Sequence, residues 1–387
     1  MELKTVRKAE PRYDVSYLHR YKVKGWGADN LYPQNLAAIV AASSTAVGCI
    51  DRYSSFIEGG GFASQDLWDL VLNRRGDTAD GLLSQLCGDL AEFGGFAVHV
   101  NYNAFCDIAE IQHIPFEACR LEEDDDDGYI AHICVHADWR GKRTRNGKRL
   151  RVDEGNVQRY DVFNPDRRVI AEQMAAAGGI EFYGGQVLWV STGGAGVYPI
   201  PKCDSVISDM STEDGLNTIK YRNVRSNFLP AGMLFVKRGS IPPYDDGAAG
   251  GRLREDLNRG FADELVKVQK DSNSLKIMIV ESSIDEEEPK FIQFPVQNFD
   301  KEFTATEGSV VERIYAAFHQ EVFYCIRTGK IGFSGTMERE AYEYYNSIVG
   351  RERRMVERAF IQLMRHWKDD WLRNVDCSIQ PMVYVGG

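Results

Sequence analysis

The stretch that most constrains this chain runs from Tyr198 to Phe294. It opens with a turn and a long helical pattern, YPIPKCDSVISDMSTEDGLNTIKYRNVRSNF. A strand, PAGMLFVKRG, follows, and then the glycine-rich loop IPPYDDGAAGGR. LREDLNRGFADELVKVQK reads as a helix and SLKIMIVES as a second strand. FIQFPVQNFD leads out, and a further helical pattern begins near Phe303. A compact strand–helix–strand insert held between two helices is an unusual layout for a soluble enzyme.

The rest of the chain sets the frame for that insert. At 387 residues it is long enough for two or three folding units with ample core. A helix is expected from Pro33, with Leu36, Ile39, Val40, Val47 and Ile50 at helical spacing and continuing toward Tyr53 and Phe56. The glycines at 59–61 stop it. Leu82, Leu83, Leu86 and Leu90 share one face of a second helix over Asp80–Glu92. From Gly94 the period changes to two, and GGFAVHVNYN, AEIQHIPFEACRLEE and GYIAHICVHADW read as strands. VQRYDVFNP and QVLWVSTGG add strands on either side of a short helix near 166–177. The N-terminal half is therefore α+β, with helices first and an antiparallel sheet after them.

Beyond the insert, Val310, Ile314, Phe318, Val322 and Ile326 recur four residues apart as one apolar stripe. A break at RTGKIGFSGT precedes a pattern through Tyr345, Val349, Val356, Phe360, Leu363 and Trp367. Unbroken, that last helix would be about 45–50 Å long. Such a length makes most sense packed beside copies of itself.

Composition excludes several function classes. A net charge of −11 argues against a surface that grips nucleic acid throughout, because neutralising phosphates needs a basic footprint. It is compatible with DNA sliding past. The eight cysteines form no CxxC pair and are expected to be reduced, mostly buried residues of an intracellular protein. No apolar h-region opens the chain and no run approaches 18 apolar residues, so neither a signal peptide nor a membrane span is expected.

Catalytic motifs are equally sparse. His132, Cys134 and His136 alternate on one strand, below Cys106, His113 and Cys119, and such a face can converge on zinc. Any half-buried strand also alternates in this way. The acidic run at 122–127 lacks EF-hand spacing. The run at 140–151 carries seven cations around Asn146-Gly147, a two-residue hairpin signal, but no aromatic on which a base would stack. TGGAG at 192–196 does not fit GxGxxG, and Gly329-Lys330 lacks the other P-loop residues. No GxSxG or HExxH is present. Two alternatives stay open at this point: a metal-dependent hydrolase using the His132 face, and a nucleic-acid-binding module acting through the basic hairpin.

Taken in order, the segments resemble a tailed-bacteriophage portal protein of the Caudovirales type, over roughly residues 30–370. The helical start, the Phe93-Gly94-Gly95-Phe96-Ala97 step into a strand, and the IQHIPFEACRLEE segment are similar to a portal wing. QVLWVSTGG with Tyr198-Pro199 resembles the strand and turn before a first stem helix. The resemblance implies a portal-like α+β fold. Residues 1–30 would be an N-terminal arm with little structure of its own, 31–202 an α/β wing, 203–228 stem helix 1 and 229–295 a small α/β clip. Residues 296–326 would be stem helix 2, 327–336 a channel loop, and 337–387 the long wing helix with a short end and a minimal crown. Two departures stand out: IRTGKIGFSGT lacks the proline-containing turn common after the second stem helix, and little chain follows the long helix.

The function implied is non-enzymatic and without cofactor or metal. The chain would form a homo-oligomeric ring, a 12-mer by analogy, at a capsid vertex of the virion, assembled in the host cytoplasm away from any membrane. Its implied partners are the terminase large subunit, the major capsid protein, head–tail connector proteins, and double-stranded DNA passing without sequence specificity. Arg327, Lys330 and Ser334 would face that DNA. Lys237, Arg238, Tyr244, Asp245, Asp246 and Arg252 would dock the motor or the connector at the clip.

Overall fold

The computed structural model describes residues 17–18, 22–141, 152, 155–193, 198–226, 232–237, 277–282, 290–293, 299–330 and 335–384. They fall into two compact units. One comprises residues 1–210 together with 311–387, and the other is the intervening 211–310.

In the first unit the opening helical pattern is two helices, α1 (Tyr32–Ala42) and α2 (Ser44–Glu58). Apolar spacing runs straight through the junction, but Ser43 adopts extended backbone angles and its Oγ accepts from the Ala46 amide at 3.1 Å. A side chain that satisfies an otherwise orphaned amide favours starting a new helix over continuing the old one. α3 (Ala79–Phe93) is capped in the same manner by Thr78, and Leu82, Leu83, Leu86 and Leu90 are all buried along it. It ends at Gly94, whose φ of 77° lies in the left-handed region. The next residue, Gly95, has no room for a side chain: a Cβ there would sit 2.5 Å from the Phe116 ring and 2.8 Å from the Val190 carbonyl oxygen.

The sheet has eight strands: β1 (Tyr17–Leu18), β2 (Val23–Lys24), β3 (Gly95–Tyr102), β4 (Ile108–Ile114), β5 (Cys119–Glu122), β6 (His132–Val135), β7 (Gln158–Val162) and β8 (Gln186–Ser191). Their spatial order is β1-β2-β5-β6-β7-β8-β3-β4. The expectation of an antiparallel sheet needs one correction, because β7 and β8 run parallel. α4 (Arg167–Ala176), whose first turn is capped by Asp166, lies between them in sequence. A crossover of that kind is what a parallel pair requires. α3 packs against β3 and β4, α2 against α3, and the core fills the space between helices and sheet.

Part of the expected N-terminal arm is also built into this body. Trp26 is fully buried, stacked on Tyr198 with centroids 4.5 Å apart and edge-on to Phe116 at 5.5 Å. Beside it the buried Arg120 guanidinium donates to Asn30 Oδ1, to the Asn30, Glu117 and Cys119 carbonyls and to Gln34 Oε1. Every donor of the fork is used, so the buried charge is compensated. Residues 22–31 therefore belong to the fold, held by aromatic stacking and one saturated arginine.

The chain leaves through α5 (Ile207–Ser226) and returns through α6 (Phe299–Ala317). The second unit holds a three-stranded sheet in the order β10-β9-β11, with β9 (Gly232–Lys237) parallel to β10 (Ile277–Ser282) and antiparallel to β11 (Lys290–Gln293). The apolar pattern does not predict β11, which overlaps the expected lead-out FIQFPVQNFD. The helix expected between β9 and β10 lies outside the described residues.

After α6 come α7 (Glu321–Arg327), α8 (Gly335–Ile348) and α9 (Gly350–Arg365). Neither long helix expected here is continuous. The final one is interrupted at Val349, next to Gly350, a residue that costs an interior helical turn about 1 kcal/mol against alanine. Past α9 the backbone pairs with the edge strand β4: the Ile108 amide donates to the His366 carbonyl and the Lys368 amide to the Ile108 carbonyl. This covers an edge that would otherwise be free to template another chain.

Candidate functional site

The loop expected to face a channel follows α7, and the corner between α6 and α7 positions it. α6 ends where His319 takes a φ of 56°. Left-handed backbone at a helix end breaks the apolar stripe that the spacing predicted as one helix: Val310, Ile314 and Phe318 are buried, whereas Val322 and Ile326 are only partly so. The next residue, Gln320, is fully buried. Its amide nitrogen donates to the Cys49 carbonyl and to the Tyr345 hydroxyl, both at 2.8 Å, and its oxygen accepts from Arg52 Nη1 at 2.9 Å. Tyr345 in turn donates to the Phe318 carbonyl at 3.0 Å. One glutamine thus ties α2, the corner and α8 together. Burial, the main cause, pushes the Tyr345 phenol well above its ordinary range, so it acts as a neutral donor.

Aromatic packing fixes the rest of the corner. Phe323 lies 5.8 Å from Phe56 and 5.5 Å from Tyr345, edge-on to the latter, and the Arg52 guanidinium sits 4.8 Å above the Phe323 ring. On the outer side the two expected cations come together. Arg327 donates from Nη1 to the Tyr315 hydroxyl at 3.1 Å. Lys330 lies 5.0 Å over the Tyr324 ring and 4.0 Å from Glu312, and Tyr315 and Tyr324 are themselves 5.4 Å apart. Both cations are exposed, yet each folds back onto α6. An exposed ion pair of this length holds its partners weakly, so Lys330 can be drawn off by a stronger anion.

α7 extends through Arg327 and α8 begins at Gly335, so the connecting loop is shorter at both ends than the expected 327–336. Ser334 lies outside the described residues. Of the docking candidates, Lys237 ends β9 in register with Ser282 of β10. Arg238, Tyr244, Asp245, Asp246 and Arg252 lie outside the described residues, as does the basic hairpin from 142 to 151.

The zinc face does not converge. His132 Nδ1 lies 2.5 Å from Glu122 Oε2 and its Nε2 is 3.4 Å from Asp161, whereas Cys134 is buried in a small cluster with Val23, Trp139 and Val157. His136 Nδ1 accepts from the Asp138 amide. His113 is bound to Asp89 at 2.7 Å. Among the described residues no group of three or more His, Cys, Asp or Glu side chains is placed to hold a metal ion, and no described helix is long and apolar enough to cross a membrane. All eight cysteines are unpaired. Burial raises the Cys119 and Cys134 thiols, the latter to about 11, which leaves them poor nucleophiles.

Local pattern places Tyr345 on an apolar face without showing its hydrogen bonds and marks neither Arg52 nor Arg120, whereas Gln320 stands out as a polar residue set inside an apolar stripe.

No family model matches the chain, and no curated protein is similar to it. Solved structures are. A chain in the neck of a native gene transfer agent (GTA) particle, computed with C12 symmetry, is 12% identical with a TM-score of 0.48, covering 87% of this chain and 82% of that one. One in the neck of an empty GTA particle, computed with C6 symmetry, is 11% identical with a TM-score of 0.49 over 91% and 85%. A HK97-family phage portal protein from Corynebacterium diphtheriae is 10% identical with a TM-score of 0.35 over 75% and 83%. The structural neighbours of this chain thus include GTA particle necks and a phage portal protein.

Proposed function

We propose that this chain is the portal-type subunit of a tailed phage or a related particle, a ring-forming structural protein at the capsid vertex through which DNA is packaged and ejected. The observation that carries the reading is the interrupted body. An α/β unit built from residues 1–210 and 311–387 is interrupted within α5 by a sheet-containing unit, residues 211–310, and resumes within α6. In this reading residues 31–202 and 337–387 are the wing, 203–228 and 296–326 the stems, 229–295 the clip, and 327–336 the loop that borders the channel. Arg327, Lys330 and Ser334 are the residues assigned brief phosphate contacts. Arg327 donates to the Tyr315 hydroxyl, and Lys330 is held by one long, exposed ion pair with Glu312 that is easily exchanged. The net acidic chain suits passage better than capture. The clip, with Lys237, Arg238, the 244–246 run and Arg252, docks the terminase motor and later the connector. No catalytic step is assigned.

Mass photometry with negative-stain microscopy on the purified protein tests this. A closed ring with a central hole and a mass near a dozen copies is expected. A compact dimer with no ring at any concentration or salt would overturn the proposal.

A further inference from the structure

One helix face in the first unit carries four exposed arginines, against the net acidic charge of the chain. Arg351, Arg354, Arg358 and Arg365 of α9 are all exposed. At about 100° per residue they fall within an arc of about 60°, and at about 1.5 Å per residue they span about 21 Å. Both carboxylates of the helix are turned elsewhere: Glu352 is buried with Lys202 at 3.7 Å, and Glu357 accepts from the Ile379 amide at 2.9 Å. Arg353 faces inward and donates to the Phe56 carbonyl and to Asn346 Oδ1. Like charges three and four residues apart each cost the helix about 0.2–0.5 kcal/mol, so this stripe does not serve helix stability.

A complementary charge stands in the turn between β5 and β6. Asp124, Asp125, Asp126 and Asp127 are exposed in the turn between β5 and β6. Asp125 holds the turn by accepting from the Asp127 and Tyr129 amides, and Asp124 pairs with Lys24 at 3.5 Å. Asp126 and Asp127 remain as exposed carboxylates. The C-terminal end of α9 runs into the backbone that pairs with β4. β4 is five strands from β5 in the sheet order, a separation of about 24 Å at about 4.8 Å per strand. Among the described residues no ion pair joins these arginines to Asp126 or Asp127, so both patches stay open to a partner. Between molecules they make a head-to-tail contact, the kind that generates rings when its rotation closes.

We infer that the arginine face of α9 docks the Asp124–Asp127 turn of a second copy of this chain. Closure of that contact into a ring rests on the portal reading; the pairing of the two patches does not.

Charge reversal and mixing test it. Arg354→Glu/Arg358→Glu and Asp126→Lys/Asp127→Lys each leave one patch intact and oppose it to its own sign in the next copy. Each variant alone is expected to self-associate roughly tenfold more weakly or worse than wild type. An equimolar mixture recovers the wild-type mass, and the association weakens between about 50 mM and about 500 mM salt. Since every substituted residue is exposed, unchanged melting temperatures separate lost docking from lost folding. Reversed variants that still form wild-type assemblies overturn the inference and leave the ring standing. Wild type that stays monomeric at all concentrations overturns both. An arginine reversal that abolishes binding of a duplex DNA probe, with assembly untouched by either reversal, makes the face a phosphate surface and also overturns the inference.

Discussion

At the scale of single residues, buried polar groups decide more than their number suggests. Gln320 satisfies a carbonyl, a phenol and a guanidinium at once, all from elements distant in sequence. Truncation to alanine leaves those partners unsatisfied in the core, so Gln320→Ala should cost about 2–3 kcal/mol in chemical denaturation. A loss under about 0.5 kcal/mol would mean that the corner is held by its aromatics alone. Glu92 offers a second test. Burial, with smaller contributions from Asp89, Glu117 and Asp51, pushes its carboxyl up to about 7. Because the folded value exceeds the unfolded one, the folded state holds the proton more tightly. The unfolded chain ionises first as pH rises, and stability falls from the ordinary carboxylate range up to about 7. Melting temperatures at about pH 5 and about pH 8 should therefore differ by several degrees more in wild type than in Glu92→Gln. Equal pH dependence in the two proteins would rule out Glu92 as the source.

At the scale of elements, three expected helices proved to be pairs, each for its own local reason. Ser43 caps a new helix, His319 turns left-handed, and Gly350 weakens a turn. Apolar periodicity reports which face is buried, and a bend that keeps the same face inward leaves the period intact. The α1–α2 junction was legible in principle, since serine is a strong cap, whereas a left-handed histidine carries no such signature. That strain is itself testable: glycine adopts φ near 56° without a Cβ penalty, so His319→Gly should stabilise the protein by about 0.5–1 kcal/mol. Destabilisation would show that the His319 side chain makes a contact worth more than the strain. The parallel β7–β8 pair is a similar case, because alternation along a strand does not encode the direction of its neighbour.

At the scale of the whole molecule, the prediction that matters is assembly: a closed ring, sensitive to salt and to the charges of α9 and the Asp124–Asp127 turn. The leucine face of α3 and the alternating strands of the sheet were legible in the sequence, both set by interactions between residues close in the chain. The chemistry of the His132 face was not, since alternation places three side chains on one side of a strand without saying what lies opposite. Glu122 and Asp161 come to His132 from neighbouring strands, and Cys134 goes to a hydrophobic cluster. The same holds for Arg120 and Gln320, whose partners are far away in sequence, and for Arg327 and Lys330, which fold back onto α6. Local pattern by itself determined where most of the helices and strands of the first unit lie and which face of them is apolar. Only the tertiary structure decided strand direction and the partners of buried groups such as Arg120 and Gln320, because those depend on contacts that exist only once distant segments have met.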